Sequence, residues 1–407
     1  MWSPNPIPPN LVAQSDLIRY YLVPPVLRHL RSGMKALFGI TVVLLICSCS
    51  DQSVAPDVPR WFTDRGLAGK ATWDESTGTL RITESVVWGG DDDVESFYFM
   101  PPAEVKTIII AANTTVTGGF RLGHGVALRG EDRNTSVIFG TNTVAWARGP
   151  NKMDDSPDCN KATGDDRAAD CQKWSYGAIS AYMIPVGDTV CVSTLTIRNA
   201  RTYNITSQYA PIKVDDVLMI ERRSEDGRSN CDGFGAGSGS SITNSTIDVT
   251  DDAIKLYRDM TVRNVTIIMR RNGAPFQLGW GSEPTSTHTI ENVVVKGVDP
   301  QSSYNCGLFS WKSSTASTTR TIRVNGLRTE GLENARIWNG NGWVDHPLFE
   351  LRSAKAELVL IARTVRMRSS AATLPSMVGK LALDVCDTAA IRNAYECGDV
   401  TKVTGDD

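Results

Sequence analysis

From Val105 onward the apolar positions of this chain come in short runs: VKTIIIAA, TTVTGGF, VALRG and TSVIFG. Each run is rich in β-branched residues and stops at Gly, Asn or Asp, the pattern of a short strand entering a turn. A polar insertion, Pro150 to Lys173, interrupts them, and then they return. A unit now recurs in which an apolar stretch meets an asparagine and a second apolar stretch follows. It reads TIRNARTYNI around Asn199, SITNSTIDV around Asn244, TVRNVTIIM around Asn264, TIENVVVKG around Asn292 and TIRVNGL around Asn325. The five asparagines are separated by 45, 20, 28 and 33 residues, the first interval being about two repeats. Repeats of roughly 20–30 residues built from short strands predict a solenoid whose coils cover one another's apolar faces. Asn suits the corners because it tolerates a left-handed backbone. A β-sandwich would use similar residues, but NG and DG pairs here seldom join two alternating strands, as hairpins require. The expected fold is therefore all-β, a right-handed parallel β-helix with a short N-terminal β region. Residues 61–104 are expected as a β cap, 105–350 as the helix proper and 351–407 as terminal coils and cap.

Composition changes this picture at the N-terminus. The chain has 407 residues and a formal net charge of −3, with no basic footprint for nucleic acid. Residues 1–33 are Pro-rich at their start and build no core. Met34-Lys35 opens what reads as a second N-terminus, followed by the largely apolar run Ala36 to Ile46. That run is too short to span a bilayer, which needs about 20 residues, and fits a signal-peptide h-region. Ile46-Cys47-Ser48-Cys49 resembles a bacterial lipobox, so residues 34–49 are expected to direct export and lipidation at Cys49. Residues 50–60 would then tether the protein to a membrane without crossing it. Ser50, rather than an aspartate, after Cys49 resembles the outer-membrane sorting pattern. Export permits disulfides, and Cys159–Cys171 and Cys386–Cys397 are the expected local pairs. Cys191, Cys231 and Cys306 have no spacing suited to zinc. Cys231 reads as a packing residue. The run Asp91 to Asp93 reads as a solvated turn in preference to a calcium site.

Candidate chemistry concentrates between Asn230 and Trp280. Asp232 lies in a tight NCDG corner, and Asp251-Asp252 follow one repeat later. Coils of a β-helix rise about 4.8 Å, so residues one coil apart stack. Adjacent aspartates cannot share a face of a regular strand, so Asp251 and Asp252 are expected at a strand end or bulge. Crowded carboxylates push at least one pKa upward, leaving one acid protonated and another group ionised. Glycoside hydrolysis needs that division; in an inverting enzyme the two groups stand about 6.5–9.5 Å apart. Asp215-Asp216, in VDDV, is read as a decoy without an aligned corner aspartate.

The stretches DG at Asp232-Gly233, DDAIKLY at Asp251 to Tyr257 and PFQLGW at Pro275 to Trp280 resemble glycoside hydrolase family 49. That is the dextranase and isopullulanase family of right-handed β-helices. The resemblance is strongest over Asn230 to Asn292 and extends weakly back through Ile110 to Asp132. It implies hydrolysis of an α-glucan with inversion, Asp251 as general acid, and Asp232 and Asp252 on the attacking water. Lys255 and Tyr257 belong to the same motif, as substrate contacts or as charge compensation and packing. Gln277 and Trp280 fall one coil on, with Trp280 offering a stacking face for sugar. The chain departs from the family in its short N-terminal region and in the loop FGAGSGS. Trp311, Trp338 and Trp343 are further candidates for subsites.

A pectin-type hydrolase of family 28, or another β-helix hydrolase acting on an acidic or sulfated polysaccharide, is the nearest alternative. Family 28 also uses a later His-Gly and an Arg-x-Lys, whereas the only HG here is His124-Gly125, upstream of the aspartates. His288 and His346 read as loop histidines. A non-catalytic, glycan-binding surface β-helix is the alternative of another class. No cofactor or metal is expected, because carboxylates alone carry the acid and base roles. The expected partners are a polysaccharide and, through the lipid anchor, a membrane; the expected state is a monomer.

Overall fold

The computed structural model describes residues 58–89, 94–123, 125–142, 177–181, 189–207, 210–221, 223, 231–279, 283–298, 303–312, 316–339, 341–385 and 394–397. They form a parallel β-helix, as the repeats predict. One sheet has 17 strands, a second has 10, and a small third sheet has three. Coil stacks on coil in register: Val262 pairs with Ile290, Ile290 with Val324, and Val324 with Ala362. All four side chains are buried. Each such aliphatic side chain, taken from water, contributes about 1.5–3 kcal/mol, and only the neighbouring coils can provide the burial.

The strands of the larger sheet bend once per coil, at a residue with positive φ. These corners are Thr194, Asp216, Asn244, Asn264, Asn292 and Thr364, with φ between 49 and 55°, and Gly326 at 81°. Registers align them into one column. Their amides bond along the axis: Asn264 Nδ2 donates to Asn244 Oδ1 at 2.9 Å, and Asn292 Nδ2 to Asn264 Oδ1 at 3.2 Å. The expected corners at Asn244, Asn264 and Asn292 are therefore found. In the last repeat Gly326, rather than Asn325, takes the left-handed position, because a side chain there would strike Asn292 Oδ1 at 2.8 Å. Asn199 also has positive φ, but it lies beyond its strand, and Thr194 fills the column in that coil.

The 10-stranded sheet contributes one short strand per coil, including Tyr203–Ser207, Asp232–Gly235, Ile254–Lys255, Phe276–Gln277, Phe309–Trp311 and Pro347–Leu351. Alternation splits it into two rows. Phe234, Ile254, Phe276, Phe309 and Phe349 form one row in the core. The Phe276 and Phe309 rings stack at 4.9 Å, and those of Phe309 and Phe349 at 5.5 Å. Lys255, Gln277, Ser310 and Glu350 form the other row. That row carries the polar groups considered below.

At the N-terminal end, helix Arg60–Asp64 places Trp61 against Trp73 and Phe99, with ring centroids 5.2 and 6.0 Å away. Strand Thr79–Ile82 already pairs in parallel with Thr107–Ile110, so the larger sheet includes it. At the other end Ala356–Arg368 takes Lys380–Val385 in parallel and Ala394–Cys397 antiparallel.

Three expectations are corrected in the core. His288 and His346 are not loop histidines: both are 0% exposed. His288 meets Ser286 Oγ at 2.7 Å, and His346 is held by Ser369 Oγ at 2.6 Å and the Cys306 carbonyl at 2.9 Å. Burial holds both imidazoles neutral, with pKa values lowered to about 3 and about 4. Trp311 is a core side chain, 1% exposed, not a subsite residue. The signal segment with Cys49, Asp91 to Asp93, His124, Cys159, Cys171, Cys386, Trp280 and the Cys397 side chain lie outside the described residues. Among the described residues, no helix is long and apolar enough to cross a membrane.

Candidate active site

Segments from successive coils build one cleft of about 630 Å³. Asp232 opens strand Asp232–Gly235, one coil above Ile254–Lys255. Asp251 and Asp252 fall between strands Thr246–Val249 and Ile254–Lys255, in a stretch with no regular pairing. That gap is what lets neighbouring aspartates converge. The Asp251 N–H bonds the Cys231 carbonyl at 3.1 Å, and the Asp252 N–H turns back onto Asp251 Oδ1 at 3.0 Å. Close backbone approach fixes the coil. A side chain at Gly273 would meet the Asp251 carbonyl carbon at 1.8 Å, so only glycine fits there.

The stacking differs by one residue from the expected one. Phe234 pairs with Ile254, and the Gly233 N–H bonds the Asp252 carbonyl at 2.8 Å. Asp252, rather than Asp251, therefore stacks on Asp232. Lys255 Nζ lies 3.0 Å from Asp232 Oδ1 and 3.0 Å from Asp252 Oδ2. One oxygen from each of the three aspartates lies within 4.8 Å of the others, a spacing that could hold a metal ion. The ammonium already occupies the position between two of them, so the donor set is built around the protein's own cation.

The three carboxyls differ in their surroundings. Asp252 Oδ1 accepts from the Ala274 N–H at 3.0 Å, and Gln277 Nε2 reaches both Asp252 oxygens at 3.3 Å. Burial pushes its pKa up, but Lys255, the Ala274 amide and Gln277 outweigh it, so Asp252 is held below the usual carboxylate value. Asp232 is raised to about 6: burial pushes it up, Lys255 pulls it down and Asp252 adds repulsion. Among the described residues Asp251 receives one N–H and no ammonium. Burial, then Asp232 and Asp252, raise it well above the usual value, and Lys255 and Lys312 only partly oppose this. Asp251 and Asp232 are thus pushed toward the protonated form while Asp252 is held toward the ionised one. The values belong to the coupled cluster as much as to any one group.

The structure brings Asp232, Asp251, Asp252, Lys255, Tyr257 and Gln277 together around this cleft. Lys255 acts in charge compensation: burial opposes its charge, but Asp232 and Asp252 hold it well above its usual pKa. Gln277, 2% exposed, orients Asp252. Sequence reasoning missed Tyr203, Asn272, Cys306 and Lys312, which also line the cleft. Tyr203 had a usable signal, since it stands one coil before Asp232 in register with it. Cys306 and Lys312 arrive from a later coil across a loop of variable length, and Asn272 carries no motif mark. Cys231 is a buried free thiol, pushed well above its usual pKa chiefly by burial, in keeping with packing. Trp338 and Trp343 form an exposed edge-to-face pair at 5.4 Å on an antiparallel hairpin.

No family model matches the chain, and no curated protein sequence matches it. Among solved structures it is similar to one described as Dex49A from Penicillium minioluteum, with 14% identity and a TM-score of 0.38. The match covers 73% of this chain and 59% of that one, so the chain spans less than two thirds of its length.

Proposed function

We propose that this protein hydrolyses glycosidic bonds in a polysaccharide by acid–base catalysis. The observation that carries this reading is the split among three neighbouring carboxyls in one cleft, with Asp251 and Asp232 pushed toward the protonated form and Asp252 held toward the ionised one. Asp251 donates its proton to the departing sugar oxygen. Asp232, with a pKa raised to about 6, takes the proton of the attacking water. Asp252 positions that water, while Lys255 keeps the two bases charged without bringing them into contact. The resemblance of the motif stretches makes α-glucans such as dextran and pullulan the first substrates to test. Export and lipidation at Cys49 belong to the same proposal, and incorporation of labelled palmitate, lost in Cys49→Ala, tests them.

With inversion, water attacks from the face opposite the leaving group. A second reading, retention, is favoured by one observation. The carboxylate oxygens lie within 4.8 Å, nearer the about 5–5.5 Å of retaining pairs than the about 6.5–9.5 Å of inverting ones. Against it, both Asp252 oxygens are engaged in hydrogen bonds, which leaves Asp232 as the one candidate nucleophile. Proton NMR of the first-formed product decides: the opposite anomer supports inversion, the same anomer retention. Asp251→Asn is expected to lower kcat by about 10²–10⁴-fold with the fold intact. A wild type that releases no sugar from neutral, uronic or sulfated polysaccharides would leave a glycan-binding protein and sink the hydrolase reading.

A further inference from the structure

Lys312 is a cation in the cleft that the acid–base scheme does not use. It follows strand Phe309–Trp311, two coils beyond Lys255, and lines the same space as Asp251, Asp252 and Asn272. The neighbouring cations are already compensated. Lys255 is shared between Asp232 and Asp252, and Arg352 Nε sits 2.5 Å from Glu350 Oε1. Glu350, 0% exposed, also accepts from the Gly307 N–H at 2.7 Å and Ser310 Oγ at 2.8 Å. Among the described residues Lys312 makes no ion pair; its side chain bonds the Cys306 sulfur. That sulfur is a hydrogen-bond partner and not a carboxylate, and burial above all pushes its pKa up to about 12. Lys312 itself remains an ammonium. Burial disfavours its charge, but Cys306, Glu350 and Asp252 together raise its pKa.

The Lys312 ammonium lines the cleft and touches no carboxylate among the described residues. An anionic ligand reaching it would add a charge-assisted hydrogen bond that no protein group supplies there. The same cleft presents two ionised aspartates, which repel an anionic sugar unless a cation offsets them. We infer that Lys312 recognises a negatively charged substituent, carboxylate or sulfate, on a sugar beside the scissile bond, so that the preferred substrate is an anionic polysaccharide. This rests on the hydrolase reading for the word substrate; the recognition itself does not.

The test compares wild type, Lys312→Met and Lys312→Arg on dextran, dextran sulfate, polygalacturonate and a sulfated galactan. Wild type is expected to favour an anionic polymer, and the sulfate and carboxylate arms identify which group is read. Lys312→Met should lower the ratio of anionic to neutral kcat/KM by roughly ten- to a hundredfold, through KM, with Lys312→Arg retaining most of it. Added salt should weaken the wild-type preference. An equal fall on both substrate types, with the acid limb of the pH profile displaced, would make Lys312 a tuner of the aspartates and overturn the inference. So would a wild-type preference for neutral dextran. If no polymer is cleaved, calorimetric binding of anionic oligosaccharides still decides. Affinity lost in Lys312→Met upholds the recognition and drops only the hydrolase reading; no binding by wild type sinks both.

Discussion

Among the described residues the Asp-Asp dipeptide occurs twice, and its two copies do opposite things. Asp215-Asp216 lies on the larger sheet. Asp216 takes a positive-φ corner at 55°, and Asp215 Oδ1 accepts from Thr243 Oγ1 at 2.6 Å and Asn244 Nδ2 at 2.8 Å. Neutral donors from the next coil satisfy it at a solvated edge. Asp251-Asp252 lies between strands, where the preceding coil presents another carboxylate, Asp232, and Lys255 of the same coil supplies an ammonium. Stacking is the same in both places. In the corner column, amide meets amide and the geometry becomes structure. In the cleft, like charges meet, and the geometry becomes a division of proton affinities. Chemistry here comes from what the neighbouring coil supplies, not from the dipeptide.

Removing the cleft's cation breaks this contrast most severely. Lys255→Met leaves Asp232 and Asp252 facing each other, largely buried, without their common partner. A loss of about 3–5 kcal/mol is expected on breaking such a pair, read as a lower midpoint in urea unfolding. An unchanged midpoint would mean that solvent, not Lys255, balances the pair. Asp232→Asn in the same background should recover part of the loss, because one of the two opposed charges is gone.

The proton division also predicts a pH profile. Asp232 must be ionised to act as base, and with its pKa raised to about 6, activity should rise through that pH. Asp251 must be protonated to act as acid, so activity should fall again as Asp251 ionises, at a pH well above the usual carboxylate value. Stability responds with its own sign. A carboxyl raised in the folded state stabilises the fold fully below its unfolded value, 3.8, and that contribution is lost as pH rises toward about 6. Asp252, held low, acts in the other window and weakens the fold as pH falls below 3.8. A kcat/KM profile that is flat between pH 4 and 8 would remove Asp232 from the base role.

The column was readable because each corner leaves a local mark, an asparagine between two β-branched runs. Asn244, Asn264 and Asn292 carry that mark. Gly326 and Thr194 do not, since glycine and a strained threonine satisfy the same backbone without the signal. The cleft was half readable. Its aspartates lie in one continuous stretch, whereas Lys312 and Cys306 reach it from a later coil across a loop of variable length, and Asn272, inside the stretch, carries no motif mark. The direct stack of Asp252 on Asp232 was one residue away from expectation for the same reason. A strand of two residues, Ile254–Lys255, leaves the register to be set by backbone bonds such as Gly233 N–H to the Asp252 carbonyl. Fully buried His288, His346 and Trp311 were misread because polarity along the chain does not show which coil closes over a side chain.

The mildest test is in the corner column. Asn264, with φ 52°, donates to Asn244 and accepts from Asn292. Asn264→Ala removes both bonds and places an alanine in a left-handed backbone, where strain costs about 1–2 kcal/mol. Asn264→Gly removes the same bonds without that strain. The alanine variant should therefore melt below the glycine variant, and the difference between them isolates the backbone term from the amide ladder. Catalysis should respond to neither, since the column serves the coil's shape and not its proton chemistry. Equal destabilisation would show that the ladder's hydrogen bonds, and not the left-handed corner, are what asparagine supplies here.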